Sequence, residues 1–171
     1  MVRAACLVVL LAACGGDDGA GGGPPDAARG IGIDAAGSTT AKQFCVSETN
    51  RYRAMAGKPA LAESSALEAY ADTGAMVDFS SSPHNHFSST SGGGIAFAEN
   101  ECPVQGIWML PAGGDLKTVV GNCVMAFYNE GPGTDYATHG HYINMMGPYA
   151  SLGCGTYQMG TGLTIVQDYG N

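Results

Sequence analysis

The sequence has few basic residues: seven Lys and Arg stand against 15 Asp and Glu, giving a formal net charge of −8 at pH 7. Binding to nucleic acid or to an anionic membrane surface requires clustered lysine and arginine side chains, so neither partner is expected. The hydrolase signatures H-E-x-x-H and G-x-S-x-G are also missing, which removes two common kinds of catalytic site. No internal repeat is visible.

Long apolar runs are lacking as well. The run Leu7–Leu11 is too short for a membrane-spanning helix, which takes about 20 apolar residues. It follows Arg3 and precedes Ala12-Ala13-Cys14, a pattern that resembles a bacterial lipobox. We therefore expect residues 1–13 to be a lipoprotein signal peptide and Cys14 to carry the lipid. The protein would then be exported and anchored in the cell envelope, at the outer membrane or the cell surface, with the lipid as its only membrane contact.

Residues 14–40 are rich in Gly, Asp, Ala and Pro. Such a segment buries too little apolar area to offset the entropy lost on ordering, so we interpret it as a flexible linker that begins with the lipidated cysteine. Residues 41–171 then remain for one domain, which we expect to be monomeric and large enough for its own core.

Four cysteines remain once the signal peptide and Cys14 are set aside: Cys45, Cys102, Cys123 and Cys154. An even number in a small exported domain indicates disulfides. Three pairings are open, and the preferred one is Cys102 with Cys123 and Cys45 with Cys154. A zinc site of four thiolates is the alternative, although no C-x-x-C spacing supports it.

Apolar periodicity predicts three helices, over residues 42–56, 66–78 and 115–129. Ser65 is the expected cap of the second helix. Residues 80–94 are rich in Ser and Gly and indicate a loop before a strand at 95–100. The C-terminal part predicts a hairpin with arms over 152–159 and 163–169. Helices flanking a small, mainly antiparallel sheet make a layered α+β domain.

Five ionisable residues stand out by position. Glu130 continues the apolar face of the third helix, and Glu99 shares a strand face with apolar residues, so both carboxylates need partners. His141 precedes an apolar segment, while His84 and His86 lie in the polar loop. Two carboxylates and two imidazoles that converge could bind a divalent metal or pair with one another.

All of these residues except His84 belong to a set of short motifs that occur in a particular order. Together they resemble the CAP superfamily of cysteine-rich secretory proteins, antigen 5 and pathogenesis-related 1 proteins, over about residues 42–171. The motifs are Asn50-x-Tyr52-Arg53, His86-Phe87, Ala98-Glu99-Asn100, Phe127-Tyr128-Asn129-Glu130-Gly131, Gly140-His141-Tyr142, Leu152-Gly153-Cys154-Gly155 and the closing Val166-Gln167-Asp168-Tyr169-Gly170.

The resemblance implies a three-layer α-β-α sandwich whose central cavity is lined by two His and two Glu. Position by position, it assigns Glu99, Glu130, His141 and His86 to this tetrad. The gap from His86 to Glu99 is longer than is usual in the family, so His84 is the rival of His86. The family also implies ligands such as lipids, sterols or other small molecules, and in some members zinc at the paired histidines.

Three functions are compatible with this site. The first is a binding module, in which His86 and His141 hold a divalent metal such as Zn²⁺, Glu99 and Glu130 orient them, and the cavity takes a small or lipid-like ligand. The second is a metal-dependent hydrolase with Glu99 or Glu130 as general base. The third is a non-catalytic structural or interaction role at the cell surface. A binding role is favoured over an enzyme because no committed catalytic motif is present.

Overall fold

Helices and four strands make up the part of the chain that the computed structural model describes, residues 35–104 and 108–171. The predicted signal peptide, Cys14 and most of the predicted linker lie outside these residues. The elements are α1 (Ala35–Met55), β1 (Ala62–Glu63), α2 (Ser65–Phe79), α3 (Asn85–Thr90), a 3₁₀ turn (Ser91–Gly94), β2 (Ala98–Cys102), α4 (Leu116–Asn129), α5 (Tyr136–Met145), β3 (Ser151–Met159) and β4 (Gly162–Gly170).

The four strands form one mixed sheet in the order β1-β3-β4-β2. β3 and β4 are the predicted hairpin, β2 pairs antiparallel with β4, and β1 pairs parallel with β3. β2 is therefore an edge strand, and its register places Glu99 directly opposite Asp168 of β4. Directly paired residues of neighbouring strands point to the same face of a sheet, so these two carboxylates share one face.

Helices cover both faces of the sheet, which confirms the predicted α+β sandwich. On one face α2 lies so close to β3 that a side chain at Gly153 or Gly155 would overlap the α2 backbone. On the other face α1 packs against β3 and α4, and Gln167 of β4 donates to Thr49 of α1 at 2.8 Å. The larger apolar core lies on this second side, whereas the α2 side holds a small cluster of Ala71, Ala75 and Val166.

Two disulfides join these layers, and their pairing is the one preferred from the sequence. Cys45–Cys154 links α1 to β3, and Cys102–Cys123 links the end of β2 to α4. All four sulfurs are thus consumed, which rules out the alternative zinc site of four thiolates. Disulfides of this kind indicate a protein that matures in oxidising surroundings.

Several boundaries differ from the sequence expectations. The first helix begins at Ala35, well before residue 42, and α2 is capped by Ser64, whose hydroxyl accepts from the backbone N–H of Leu67 at 3.3 Å, rather than by Ser65. The predicted 80–94 loop contains α3 and a 3₁₀ turn, and β2 starts at Ala98. None of the helices within the described ranges is long and apolar enough to cross a membrane.

The fifth helix, α5, was not expected at all. Asp135 caps it by accepting from the backbone N–H of Ala137 at 3.1 Å. Its interior contains Gly140, and only Asn144 and Met145 are fully buried. A helix that buries two adjacent residues near its end leaves no apolar stripe for periodicity to detect.

Arg53 connects α1 to the end of α5. Its side chain is almost wholly buried, and its guanidinium donates to three backbone carbonyls: Pro59 at 2.9 Å, Met145 at 2.7 Å and Gly147 at 3.1 Å. Burial lowers the pKa of Arg53, yet a guanidinium stays charged in proteins. The contacts therefore satisfy a buried cation and fix the chain where α5 ends.

Replacing Arg53 by Met keeps an apolar stem of similar length but leaves those three carbonyls without a donor. We expect Arg53→Met to lower the free energy of unfolding by about 3 kcal/mol, measured by urea denaturation. The matched control is Arg51→Met, because Arg51 lies two residues earlier and is about half exposed. Its guanidinium pairs with Glu48, contacts Met55 Sδ and stacks on the Tyr52 ring at the surface, where such contacts contribute little to stability. Equal losses for the two variants would contradict the clamping role.

Candidate metal centre

A cavity of about 540 Å³ lies at the free edge of β2, between the end of α4 and α5 on one side and the segment after α2 on the other. Its polar wall contains His84, Glu99, Glu130, His141 and Asn144. The rest of the wall is apolar or aromatic, formed by Phe87, Phe97, Ala98, Tyr136, Ala137, Gly140, Ile143 and Tyr149. Glu99, Glu130, His84 and His141 therefore line one space.

The pair of Glu130 and His141 forms one side of the cavity. Glu130 follows the last residue of α4, and its Oε1 contacts Nδ1 of the His141 ring at very short range. Its Oε2 accepts from the backbone N–H groups of His141 at 2.8 Å and Tyr142 at 3.2 Å. The His141 ring also stacks on Phe127, with centroids 4.7 Å apart. The ring is thus held on its face and at Nδ1.

The pair of Glu99 and His84 forms the other side. His84 Nδ1 lies 2.8 Å from Glu99 Oε1, and the backbone N–H of His84 donates to Glu101 Oε2 at 2.6 Å. His84 has φ of +60°, a conformation uncommon for residues other than glycine, and these two carboxylates hold it there. The hydrogen bond with Glu99 raises the pKa of His84 above its ordinary value.

The two pairs share one chemical arrangement. A histidine whose Nδ1 bonds to a carboxylate is fixed in ring orientation and presents Nε2 as its coordinating atom. The pairs are tied together by Asn144 of α5, whose amide donates to the backbone carbonyl of Glu99 at 3.0 Å and to Asn100 Oδ1 at 3.1 Å. The amide of Asn100 in turn donates to the backbone carbonyl of His141 at 3.1 Å.

His86 lies outside the cavity wall. Its ring packs against Tyr70 with centroids 4.5 Å apart, and its backbone N–H donates to Asp78 Oδ1 at 2.8 Å. The Nδ1 atom of His86 is buried without a hydrogen-bond partner. The geometry thus brings His84, the rival, to the site. His84 has a left-handed backbone conformation just before α3, whereas His86 lies within α3, so their side chains reach different surroundings.

Three further carboxylates lie behind the cavity, and the sequence reasoning missed all of them: Glu101 of β2, Asp78 of α2 and Asp168 of β4. Glu101 follows Glu99 by two residues and so shares its strand face, a spacing that could have identified it. The ligand atoms of His84, Glu99 and Glu101 lie within 4.8 Å of one another. This group can hold a cation.

These buried carboxylates are difficult to ionise. Burial raises the pKa of Asp168 to about 9 and that of Glu101 to about 7, and it also raises the pKa of Glu99 and of Asp78. Neighbouring negative charge adds to the shift, since Glu99 and Asp78 both act on Asp168. The inner wall of the site thus holds more negative groups than it can easily ionise together.

The described part of the chain is thus an α+β sandwich with two disulfides and a cavity lined by paired His and Glu. The chain matches the model of the CAP family, described as the cysteine-rich secretory protein family, over residues 46–169. The chain belongs to this family. Among solved structures, it is similar to the crystal structure of NaASP2 with Zn²⁺, at 20% sequence identity and a TM-score of 0.57, over 81% of this chain and 84% of that one. The search of curated proteins gave no match.

Glu130 braces α4 against α5, because its carboxylate accepts from two backbone N–H groups and contacts a ring nitrogen. We expect Glu130→Ala to lower the free energy of unfolding by about 2–4 kcal/mol, measured by urea denaturation with a chelator present. Glu48→Ala is the control, since Glu48 makes one surface pair with Arg51 and costs about 0.2–1 kcal/mol. A Glu130→Ala protein that unfolds at the wild-type urea concentration would show that the brace is wrong.

The raised pKa values of Asp168 and Glu101 predict a pH dependence of stability. Between about pH 4 and pH 9 the folded protein binds more protons than the unfolded chain, so the metal-free protein loses stability as pH rises, by about 1.4 kcal/mol per pH unit for each extra proton. Asp168→Asn removes one such proton. We expect its stability relative to wild type to increase from pH 5 to pH 8, as followed by thermal unfolding in chelator. Parallel pH profiles of the two proteins would refute this assignment.

Proposed function

We propose that the protein is an exported, lipid-anchored CAP-domain protein that binds a divalent metal, Zn²⁺ first, in a cavity that also accepts a small or lipid-like ligand. The observation that carries the proposal is the pair of histidines, His84 and His141, each held at Nδ1 by a glutamate and both lining one cavity. The anchor at Cys14 rests on the sequence pattern at residues 11–14, and the two disulfides support export.

His84 and His141 would hold the metal through Nε2, and Glu99 and Glu130 would orient the rings. Carboxylate–histidine–zinc arrangements of this kind are common in zinc proteins, where the carboxylate fixes the tautomer and raises the basicity of the ligand. A bound zinc ion with an open position would supply a Lewis-acid contact for a ligand in the cavity. NaASP2, which has the same fold, was crystallised with Zn²⁺.

The rest of the cavity supports a ligand that is partly apolar. Phe97 and Tyr136 line it and are 59% and 61% exposed, so two aromatic rings stand at its wall largely uncovered. Apolar walls with a few fixed polar groups are typical of small-molecule sites. We therefore propose a ligand with an apolar body and a polar group that reaches the histidines.

A binding role is supported better than the hydrolase alternative. Hydrolysis through a metal-bound water would need Glu99 or Glu130 as general base, within hydrogen-bond reach of that water. Both oxygens of Glu130 are engaged by the protein. One oxygen of Glu99 bonds to His84 and the other is buried from solvent. Glu130 thus has no unpartnered oxygen, and the unpartnered oxygen of Glu99 is not accessible to solvent, so neither presents a base to such a water.

Calorimetry of the purified protein with Zn²⁺ tests the metal site. We expect wild type to bind one ion and the His84→Ala/His141→Ala double variant to give no binding heat, because both proposed ligands are removed. His86→Ala is the matched control and should bind as wild type does, since His86 does not line the cavity. Equal heats for wild type and the double variant would sink the proposal, and loss of binding in His86→Ala alone would return that residue to the site.

A further inference from the structure

Glu101 of β2 is a buried carboxylate whose hydrogen bonding is directed at one residue of the cavity. It is 3% exposed and lies two residues after Glu99, on the same face of the strand. Its Oε2 accepts from the backbone N–H of His84 at 2.6 Å, and its Oε1 is buried without a hydrogen-bond partner. Within the described part of the chain, His84 is therefore the hydrogen-bond partner of this carboxylate.

Glu99 and Glu101 act on different parts of His84. Glu99 Oε1 lies 2.8 Å from Nδ1 of the ring. Glu101 Oε2 is 3.9 Å from the same ring atom but 2.6 Å from the backbone nitrogen. The first contact orients the ring, and the second holds the peptide N–H toward β2. One strand thus holds both the side chain and the backbone of the histidine.

The backbone conformation of His84 depends on such a contact. Its φ of +60° and ψ of +15° lie in the left-handed region, which a residue with a Cβ atom adopts infrequently. An unfavourable conformation of this kind persists only where the surrounding structure determines it. The hydrogen bond from the His84 N–H to Glu101 supplies that constraint, because it fixes the direction of the peptide group at the turn.

The other histidine of this segment is held by a different carboxylate. The backbone N–H of His86 donates to Asp78 Oδ1 of α2 at 2.8 Å. Residue 84 is thus held by β2 and residue 86 by α2. With the backbone held at these two points, the ring of His84 lines the cavity and the ring of His86 packs against Tyr70.

We propose that Glu101 is a positioning residue of the proposed zinc site, and that it determines which of the two histidines, His84 or His86, serves as the ligand. It acts as a hydrogen-bond acceptor and not as a ligand of the ion. A protonated carboxyl group keeps an acceptor oxygen, as does a glutamine amide, so this role does not require a charge. The inference rests on the proposed function, because it concerns the affinity of that zinc site.

Two substitutions of matched length test this role. Glu101→Gln keeps an oxygen that can accept from the His84 N–H, whereas Glu101→Met removes the acceptor. We expect Glu101→Met to weaken Zn²⁺ binding about 10–100-fold in calorimetric titration, the usual loss when a group that orients a metal ligand is removed. Glu101→Gln should bind Zn²⁺ nearly as wild type does. Circular dichroism checks that both variants are folded.

Hydrogen exchange of the metal-free protein, followed by NMR, tests the contact without zinc. We expect the His84 amide to be protected in wild type and in Glu101→Gln, and to exchange at least about tenfold faster in Glu101→Met, because its acceptor is gone. The His86 amide is the internal control. It donates to Asp78 and should exchange at the same rate in all three proteins.

Equal weakening of Zn²⁺ binding by Glu101→Gln and Glu101→Met would make Glu101 a ligand of the ion, and unchanged binding in Glu101→Met would remove it from the site. Either result would overturn the proposal, as would a His84 exchange rate that Glu101→Met leaves unchanged. If wild type binds no Zn²⁺, the proposed function fails. The exchange rates of the two amides then decide by themselves whether Glu101 holds the turn at His84.

Discussion

The amide of Asn144 holds α5 against the edge of the sheet, and both sides of the cavity depend on that contact. It donates to the backbone of Glu99 and to the side chain of Asn100, whose own amide reaches the backbone carbonyl of His141. Asn144 and Asn100 are almost fully buried, where an unpaired amide is costly. Helix and strand can therefore separate only at considerable cost. Arg53 holds the same end of α5 through the carbonyls of Met145 and Gly147, so the position of His141 relative to Glu99 is set at the C-terminal end of this helix.

The acidic residues around the cavity fall into two groups by what surrounds them. Glu130 is partly exposed and meets N–H groups at both oxygens, so it stays a satisfied acceptor that orients a ring. Asp168 and Glu101 lie in a buried region with few donors, and burial raises the pKa of both. The carboxylate of Glu130 thus positions a histidine ring, whereas the carboxylates of Asp168 and Glu101 are unfavourable to ionise where they are buried. Glu99 belongs to both groups, with one oxygen in each environment.

Periodicity and spacing in the sequence predicted the elements that have a regular apolar pattern. They did not predict features that depend on the backbone conformation of a single residue. Helices α2 and α4 and the C-terminal hairpin have strong apolar patterns and were found nearly in full. α3 and α5 were missed because neither has an apolar stripe, although Asp135 is a capping signal that could have identified α5. The choice between His84 and His86 depends on the left-handed turn at His84, which no local pattern announces. The partnership of Glu99 with Asp168 needed the strand register, which arises from tertiary packing.

The disulfide between Cys102 and Cys123 has a consequence for the order in which the protein matures. It joins the strand that carries Glu99 to the helix that Glu130 directly follows, so it links the supports of the two histidine rings. Before oxidation those same cysteines are thiols, and thiolates are strong zinc ligands in their own right. A chain that met zinc while still reduced would offer the ion a competing pair of sulfurs next to the unfinished site. For the proposed zinc site, oxidation removes that competitor and joins the two supports, so the disulfide would have to form before the metal is bound.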